Sequence, residues 1–249
     1  MDIKLLLAKI AQKLRRDGCL TTCRDWLKQL RRKHADDDFD TRNGTDTGGN
    51  VPLWNFHISS PNRLYGKSYE ATKERDLVDA INFLQEDPRD LTFIDLGCGK
   101  GKALLVAAKF GFRQSIGVEF VHELAGIAKA NLARKRIHNA VVVEADAAEY
   151  RFPDTDLVVY LYNPFRQEVV LKVVANLKEC CSKKLYVVYN SPLYASILEA
   201  SGFLTPFGRV PGRSDILVWT TMNRGLNTGD PEKQEGESIG TGLPPRTGR

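Results

Sequence analysis

The chain has 249 residues and a mass of 27.9 kDa. That suits one α/β domain with extensions, and 42% hydrophobic against 27% charged residues excludes wholesale disorder. No apolar run approaches the ~20 residues of a membrane span; the five cysteines, odd in number and without a C-x-x-C pair, argue against a disulfide framework and a structural metal.

The net charge of +5 is unevenly placed: residues 1–34 hold ten Lys/Arg against three Asp, or +7, leaving −2 for the rest. Within them Ile3, Leu6, Leu7, Ile10 and Leu14 fall on one face of a helix, ringed by Lys4, Lys9, Lys13, Arg15 and Arg16. A second short helix, "CRDWLKQLRRKH", turns Trp26, Leu27 and Leu30 inward. This basic amphipathic arm can pack on the domain, or meet nucleic acid or an anionic membrane surface. Its apolar pieces are broken by lysines and no small-residue cleavage site follows, so a cytoplasmic location is expected. Residues 35–68 are irregular: "DDDFDTRNGTDTGGNVP" is dense in turn-forming Asp, Thr, Gly and Asn and reads as a lid or a linker.

From residue 69 to 222 the pattern is regular. A helix with Leu77, Ala80, Ile81 and Leu84 on one face precedes a strand at 92–96, a glycine loop and a helix at 103–110. "QSIGVEF", "AVVVEA", "DLVVYLYN" and "KLYVVYN" read as strands, alternating with helices at "HELAGIAKANLARK", "QEVVLKVVANLKECC" and "LYASILEASG". "FLTPFGRV" and "DILVWTT" complete the sheet. Strand–helix alternation predicts right-handed crossovers and a parallel sheet, and near-continuous Val/Ile/Leu/Tyr strands predict cover on both faces. Residues 223–249 hold almost no large apolar side chains and read as a disordered tail.

Ligands of such sheets gather at the carboxyl ends of the strands, so the loops carry the chemistry. In "FIDLGCGKGKALLVAA" Asp95 precedes Gly97, Gly99 and Gly101. A phosphate loop, G-x-x-x-x-G-K-[ST], fails here: only three residues separate Gly97 from Gly101, and Ala103 replaces the magnesium-binding hydroxyl. A dinucleotide loop, G-x-G-x-x-G, fails on the third glycine, and Asp95 would repel a pyrophosphate. An acid there suits a ligand carrying ammonium or sulfonium groups. Glu119, 24 residues on at the next strand end, can accept two hydrogen bonds from a vicinal diol. Cys98 reads as a small residue in a tight turn.

These residues resemble the first motif, D-x-G-x-G-x-G, of the class I S-adenosylmethionine-dependent methyltransferases. The resemblance implies a Rossmann-like fold: a mostly parallel seven-stranded sheet with helices on both faces and an antiparallel last strand. It implies S-adenosyl-L-methionine as cofactor, held by Asp95, Gly97, Gly99 and Gly101, with Glu119 on the ribose and Asp146, in "VEADAAEY", on the adenine amine. Within the superfamily, "LYGKSYEATKERDLVDAI", "GVEF", "YNPF" and "FDTRNGTDTGG" are similar to an uncharacterised bacterial methyltransferase group, and more loosely to the non-SET histone-lysine methyltransferases. That likeness implies Tyr69 and Glu70 near the methionine end of the cofactor, and Asn163, Pro164 and Phe165 lining the acceptor pocket. "NPF" is similar to the (D/N)-P-P-(Y/F) loop of amino-group methyltransferases but lacks one proline, so protein amino groups, oxygen acceptors and small molecules all stay open. Tyr189 and Asn190 are further pocket candidates. Two other classes compete: an NAD-dependent oxidoreductase, and a non-catalytic nucleic-acid-binding module using the basic arm.

Overall fold

The computed structural model describes residues 38–51, 69–162, 165–180, 183–213 and 215–221. The expected arm (1–34) and tail (223–249) lie outside the described residues.

The described residues begin with a short helix, α1 (Phe39–Asn43), closed by Gly44 in the left-handed region at φ 63°. A two-residue strand β1 (Asn50–Val51) pairs antiparallel with β2 (Tyr69–Glu70). Helix α2 (Glu74–Leu84) buries the predicted stripe of Leu77, Ala80, Ile81 and Leu84. Then follow β3 (Thr92–Leu96), α3 (Lys102–Ala108), β4 (Gln114–Glu119), α4 (His122–Arg134) and β5 (Ala140–Glu144). The second half holds β6 (Leu157–Tyr162), α5 (Gln167–Cys180), β7 (Leu185–Asn190), α6 (Ala195–Glu199), β8 (Thr205–Arg209) and β9 (Ile216–Thr220).

Seven strands form one sheet in the order β5-β4-β3-β6-β7-β9-β8. The first five pair in parallel, and β9, the last in sequence, runs antiparallel between β7 and β8. One face carries α1, α2 and α3 over Phe93, Phe112 and Tyr160; the other carries α5 and α6 over Ile94, Val159, Leu161 and Trp219. Helices on both faces explain why β3, β6 and β7 are buried at almost every position. Residues 145–156 join β5 to β6 without a helix, and on the edge strand β5 Val141 and Val143 stay exposed. Among the described residues no helix is long and apolar enough to cross a membrane.

The chain steps outward from β3 through β4 to β5, then returns to the other side of β3 to place β6. Strand order therefore reverses between β3 and β6, and the carboxyl ends of those strands flank a crevice suited to a ligand.

Candidate functional site

The glycine loop leaves β3 and enters α3 in five residues. Gly97, Gly99 and Gly101 all have positive φ, at 76°, 52° and 82°, a region L side chains rarely occupy. The third glycine also meets a neighbour: a Cβ on Gly101 would lie 3.1 Å from the Ala128 Cβ of α4. Beneath the loop, a Cβ on Gly117 would lie 2.6 Å from Cys98 Sγ and 2.7 Å from Leu104 Cδ1. The Cys98 side chain thus fills the space that Gly117 leaves open. Burial, with Asp95 and Glu119 nearby, pushes its thiol pKa well up, against a thiolate role.

The loop amides are committed to the protein. Gly97 and Cys98 N–H donate to the Val118 carbonyl at 2.8 and 3.1 Å, and Gly101 N–H to the Cys98 carbonyl at 2.8 Å. Gly99 N–H donates to Glu119 Oε2 at 2.8 Å, while Val121 N–H donates to the other oxygen, Oε1, at 2.9 Å. A phosphate cradle needs such amides aimed outward; here four of them already have acceptors.

Two carboxylates stand at the strand ends, each only 4% exposed. Burial raises the pKa of Glu119 to about 7 despite its amide donors. Burial, and then the charge of Glu119, raises Asp95 to about 8. Asp95 accepts no side-chain hydrogen bond from any described residue. Its oxygens are not among the fully enclosed polar atoms that lack a partner, so the carboxyl keeps some contact with solvent, and a cation there would favour the ionised form of both groups.

Parallel register sets Asp95 level with Tyr160 of β6 and Gly117 of β4, and Tyr162 level with Asn190 of β7. Asp95, Tyr160, Tyr162 and Asn190 therefore share one face of the sheet. The Tyr160 hydroxyl lies 3.4 Å from Thr72 Oγ1 and 3.3 Å from Asn190 Nδ2. Burial and the charge of Asp95 push its pKa upward. Tyr162 donates its hydroxyl to Glu70 Oε1 at 2.9 Å, which brings β2 to the end of β6. Tyr69 lies in β2 opposite Val51.

The other expected residues divide. Asp146 follows β5, half-buried, with Oδ1 accepting the Ala148 amide at 2.9 Å. Asn163 and Pro164 fall outside the described residues. Phe165 is 5% exposed and packs in the core cluster of Leu96, Leu161 and Tyr189. An apolar ring at that turn gains by joining the core below, which anchors the residue after the turn to the sheet. Tyr189 is buried in the same cluster, whereas Asn190 points to the opposite, Asp95-bearing face. Sequence reading did not single out Tyr160, Tyr162 or Thr72, since only strand register reveals them.

Residues 93–184 match the family described as a methyltransferase domain. No curated protein matches the chain by sequence. Among solved structures, the putative methyltransferase yhhF from Escherichia coli superposes with a TM-score of 0.52 at 15% identity, covering 69% of this chain and 98% of its own. A putative methylase from Haemophilus influenzae gives 0.48 at 17% identity, covering 60% and 98%. Magnesium protoporphyrin IX methyltransferase from Synechocystis, solved with bound S-adenosylmethionine, gives 0.47 at 16% identity, covering 59% and 78%.

Proposed function

We propose that this chain, whose residues 93–184 match a methyltransferase domain, is a class I S-adenosylmethionine-dependent methyltransferase that binds S-adenosylmethionine and transfers its methyl group to an acceptor nucleophile. One observation carries the reading: Asp95, with no donor among the described residues, stands beside Glu119 near the ends of adjacent strands, flanking a glycine loop four of whose amides are already used. Two buried carboxyls face the loop and four of its amides already have acceptors, which favours a cationic ligand over a pyrophosphate. That weighs against the nicotinamide reading.

The bound cofactor would supply a sulfonium-activated methyl group, so the protein needs neither metal nor covalent intermediate. Asp95 would face the ammonium end. Glu119, with lone pairs left after accepting two amides, would take the ribose hydroxyls. Asp146 would accept from the adenine amine, and Tyr69 and Glu70 would border the methionine end. Asn163, in "YNPF", would accept an N–H or O–H from the acceptor and aim its lone pair at the methyl carbon, with Pro164 and Phe165 fixing the turn. A protein amino group is the acceptor class closest to that motif.

Calorimetry with S-adenosylhomocysteine and with NAD separates the enzyme classes: the first should bind in the micromolar range and the second should not. Tight NAD binding with no S-adenosylhomocysteine binding would overturn the reading. Incubation with methyl-labelled S-adenosylmethionine and fractionated lysate would then locate the label in protein, nucleic acid or small molecules. Asn163→Ala should abolish that transfer while leaving S-adenosylhomocysteine binding intact.

A further inference from the structure

The segment "FDTRNGTDTGG" has no part in the scheme above, yet it is among the most heavily hydrogen-bonded stretches of the described chain. Phe39 is 1% exposed and sits in the core beside α3, with Lys102 Nζ 4.8 Å and Lys109 Nζ 5.3 Å from its ring centroid. One residue on, Asp40 gathers the following turn. Its Oδ1 accepts from Thr45 Oγ1 at 2.7 Å and Thr47 Oγ1 at 2.8 Å; its Oδ2 accepts from Thr47 N–H at 2.8 Å and Gly48 N–H at 2.7 Å. Burial alone would raise the Asp40 pKa, but these donors hold it below the ordinary value. A Cβ on Gly48 would come within 3.1 Å of Asp40 Oδ2, so a glycine at this position lets the carboxylate approach.

The turn is fastened to the glycine loop from both sides. Buried Asn131 of α4 accepts from Asp46 N–H at 3.0 Å and donates to the Asp46 carbonyl at 2.8 Å. The same amide donates to the Lys100 carbonyl at 3.0 Å. Lys100 Nζ reaches back to Asp46 Oδ1 at 2.7 Å and the Gly48 carbonyl at 3.0 Å. Lys100 is the residue between Gly99 and Gly101, both at positive φ. Such a loop has little conformational preference of its own, so these contacts add to its bonds to Val118, Cys98 and Glu119 in holding its tip. From the turn the chain passes directly into β1, pairs with β2, and through Glu70 reaches Tyr162 at the end of β6. One continuous piece thus joins the two sides of the crevice.

We infer that residues 38–49 are a strap that positions the glycine loop for the cofactor, with Asp40 and Asn131 as its positioning residues. This deepens, and rests on, the cofactor site proposed above. Neither residue need touch the ligand. Asp40 shapes the turn, and Asn131 ties the turn to the loop tip.

Two variants test it. Asp40→Asn keeps the side-chain shape but replaces one acceptor oxygen with an amide donor. Lys100→Met leaves the Asp40 turn whole and cuts its side-chain link to the loop. Hydrogen exchange on the unliganded protein would follow the amides of Gly97, Cys98, Gly99 and Gly101 against those of β6 and β7. In both variants the loop amides should exchange ~10-fold faster or more while the strand amides hold. S-adenosylhomocysteine affinity should fall by a similar factor, about tenfold. Wild-type loop protection and affinity in both variants would overturn the strap, and so would a uniform loss of protection through the sheet. If Asp40→Asn does not fold, Lys100→Met decides alone. If the unmutated chain binds no S-adenosylhomocysteine, the cofactor reading fails, and the exchange data still judge the strap.

Discussion

A buried acid with pKa near 8 makes ligand binding depend on protons. In the unliganded protein Asp95 is pushed to about 8, by burial first and by Glu119 second. A cationic ligand prefers the ionised carboxylate, so Asp95 must lose its proton on binding below that pH. For a single group of this pKa, affinity should rise about 50-fold from pH 6 to pH 8, and at pH 7 close to one proton should be released per site. The sign for folding is opposite. A raised carboxyl pKa means that the native state holds its proton longer than the unfolded chain. The unliganded protein therefore loses stability as pH rises from the ordinary carboxyl value through about 8. Calorimetric titration of S-adenosylhomocysteine in buffers of different ionisation enthalpy would count the protons, and thermal melts would show a larger ligand-induced rise in Tm at pH 8 than at pH 6. Asp95→Asn should flatten most of the pH dependence, leaving at most about a tenfold contribution from Glu119, itself near 7. An affinity constant from pH 6 to 8 with no proton release would refute the electrostatic argument.

Glu119→Gln keeps the shape but has one acceptor oxygen for the amides of Gly99 and Val121; leaving one unpaired should cost ~1–3 kcal/mol of stability, and S-adenosylhomocysteine affinity should drop more than tenfold by calorimetry. Gly117→Ala forces a methyl against Cys98 Sγ and Leu104 Cδ1; thermal or denaturant unfolding should show a loss of ~1–3 kcal/mol, and Cys98→Ala should recover only part because Leu104 remains. On the α2 side, Arg213 bridges Asp76 at 2.6 Å and Asp79 at 2.8 Å, with the Asp76 and Arg213 side chains 8% and 10% exposed. Arg213→Leu strips Asp76 of that guanidinium and should cost ~3–5 kcal/mol in urea unfolding while leaving the pH dependence of ligand binding unchanged.

The parts of this architecture that depend on near neighbours in sequence were legible. Periodicity placed α2 and α5 with their buried stripes, and β3 to the residue, because each face is decided within one element. Asp95 and Glu119 could be placed because each lies at or next to the last residue of its strand, beside a turn. Tyr160 could not: its role rests on standing opposite Asp95 across a parallel pair 65 residues apart, and one step of register would turn it to the other face. The Asp40 turn was visible only as a polar, turn-rich stretch. Its local bonds use residues that any loop might hold, and its fixed position comes from Asn131, 85 residues beyond Asp46. Phe165 was legible as a loop residue, while its packing against Leu96, Leu161 and Tyr189 depends on contacts across the sheet that the sequence does not display.

Two observations now explain each other. The glycine loop gives its amides to Val118, Cys98 and Glu119, so it does not act as an anion cradle. Because Gly99 and Val121 both donate to Glu119, that carboxylate is fixed at the strand end even in the unliganded protein, beside an Asp95 with no donor among the described residues. Turning the amides inward therefore does two things together: it withdraws four donors from any phosphate, and it fixes a carboxyl that can ionise at the place proposed for a cation. A dinucleotide-binding loop of similar glycine content does the reverse, leaving amides free at the helix start. The choice between the two ligand classes lies in where the loop's N–H groups point. The strap at residues 38–49 matters for the same reason, since it fixes the tip from which Gly99 reaches Glu119.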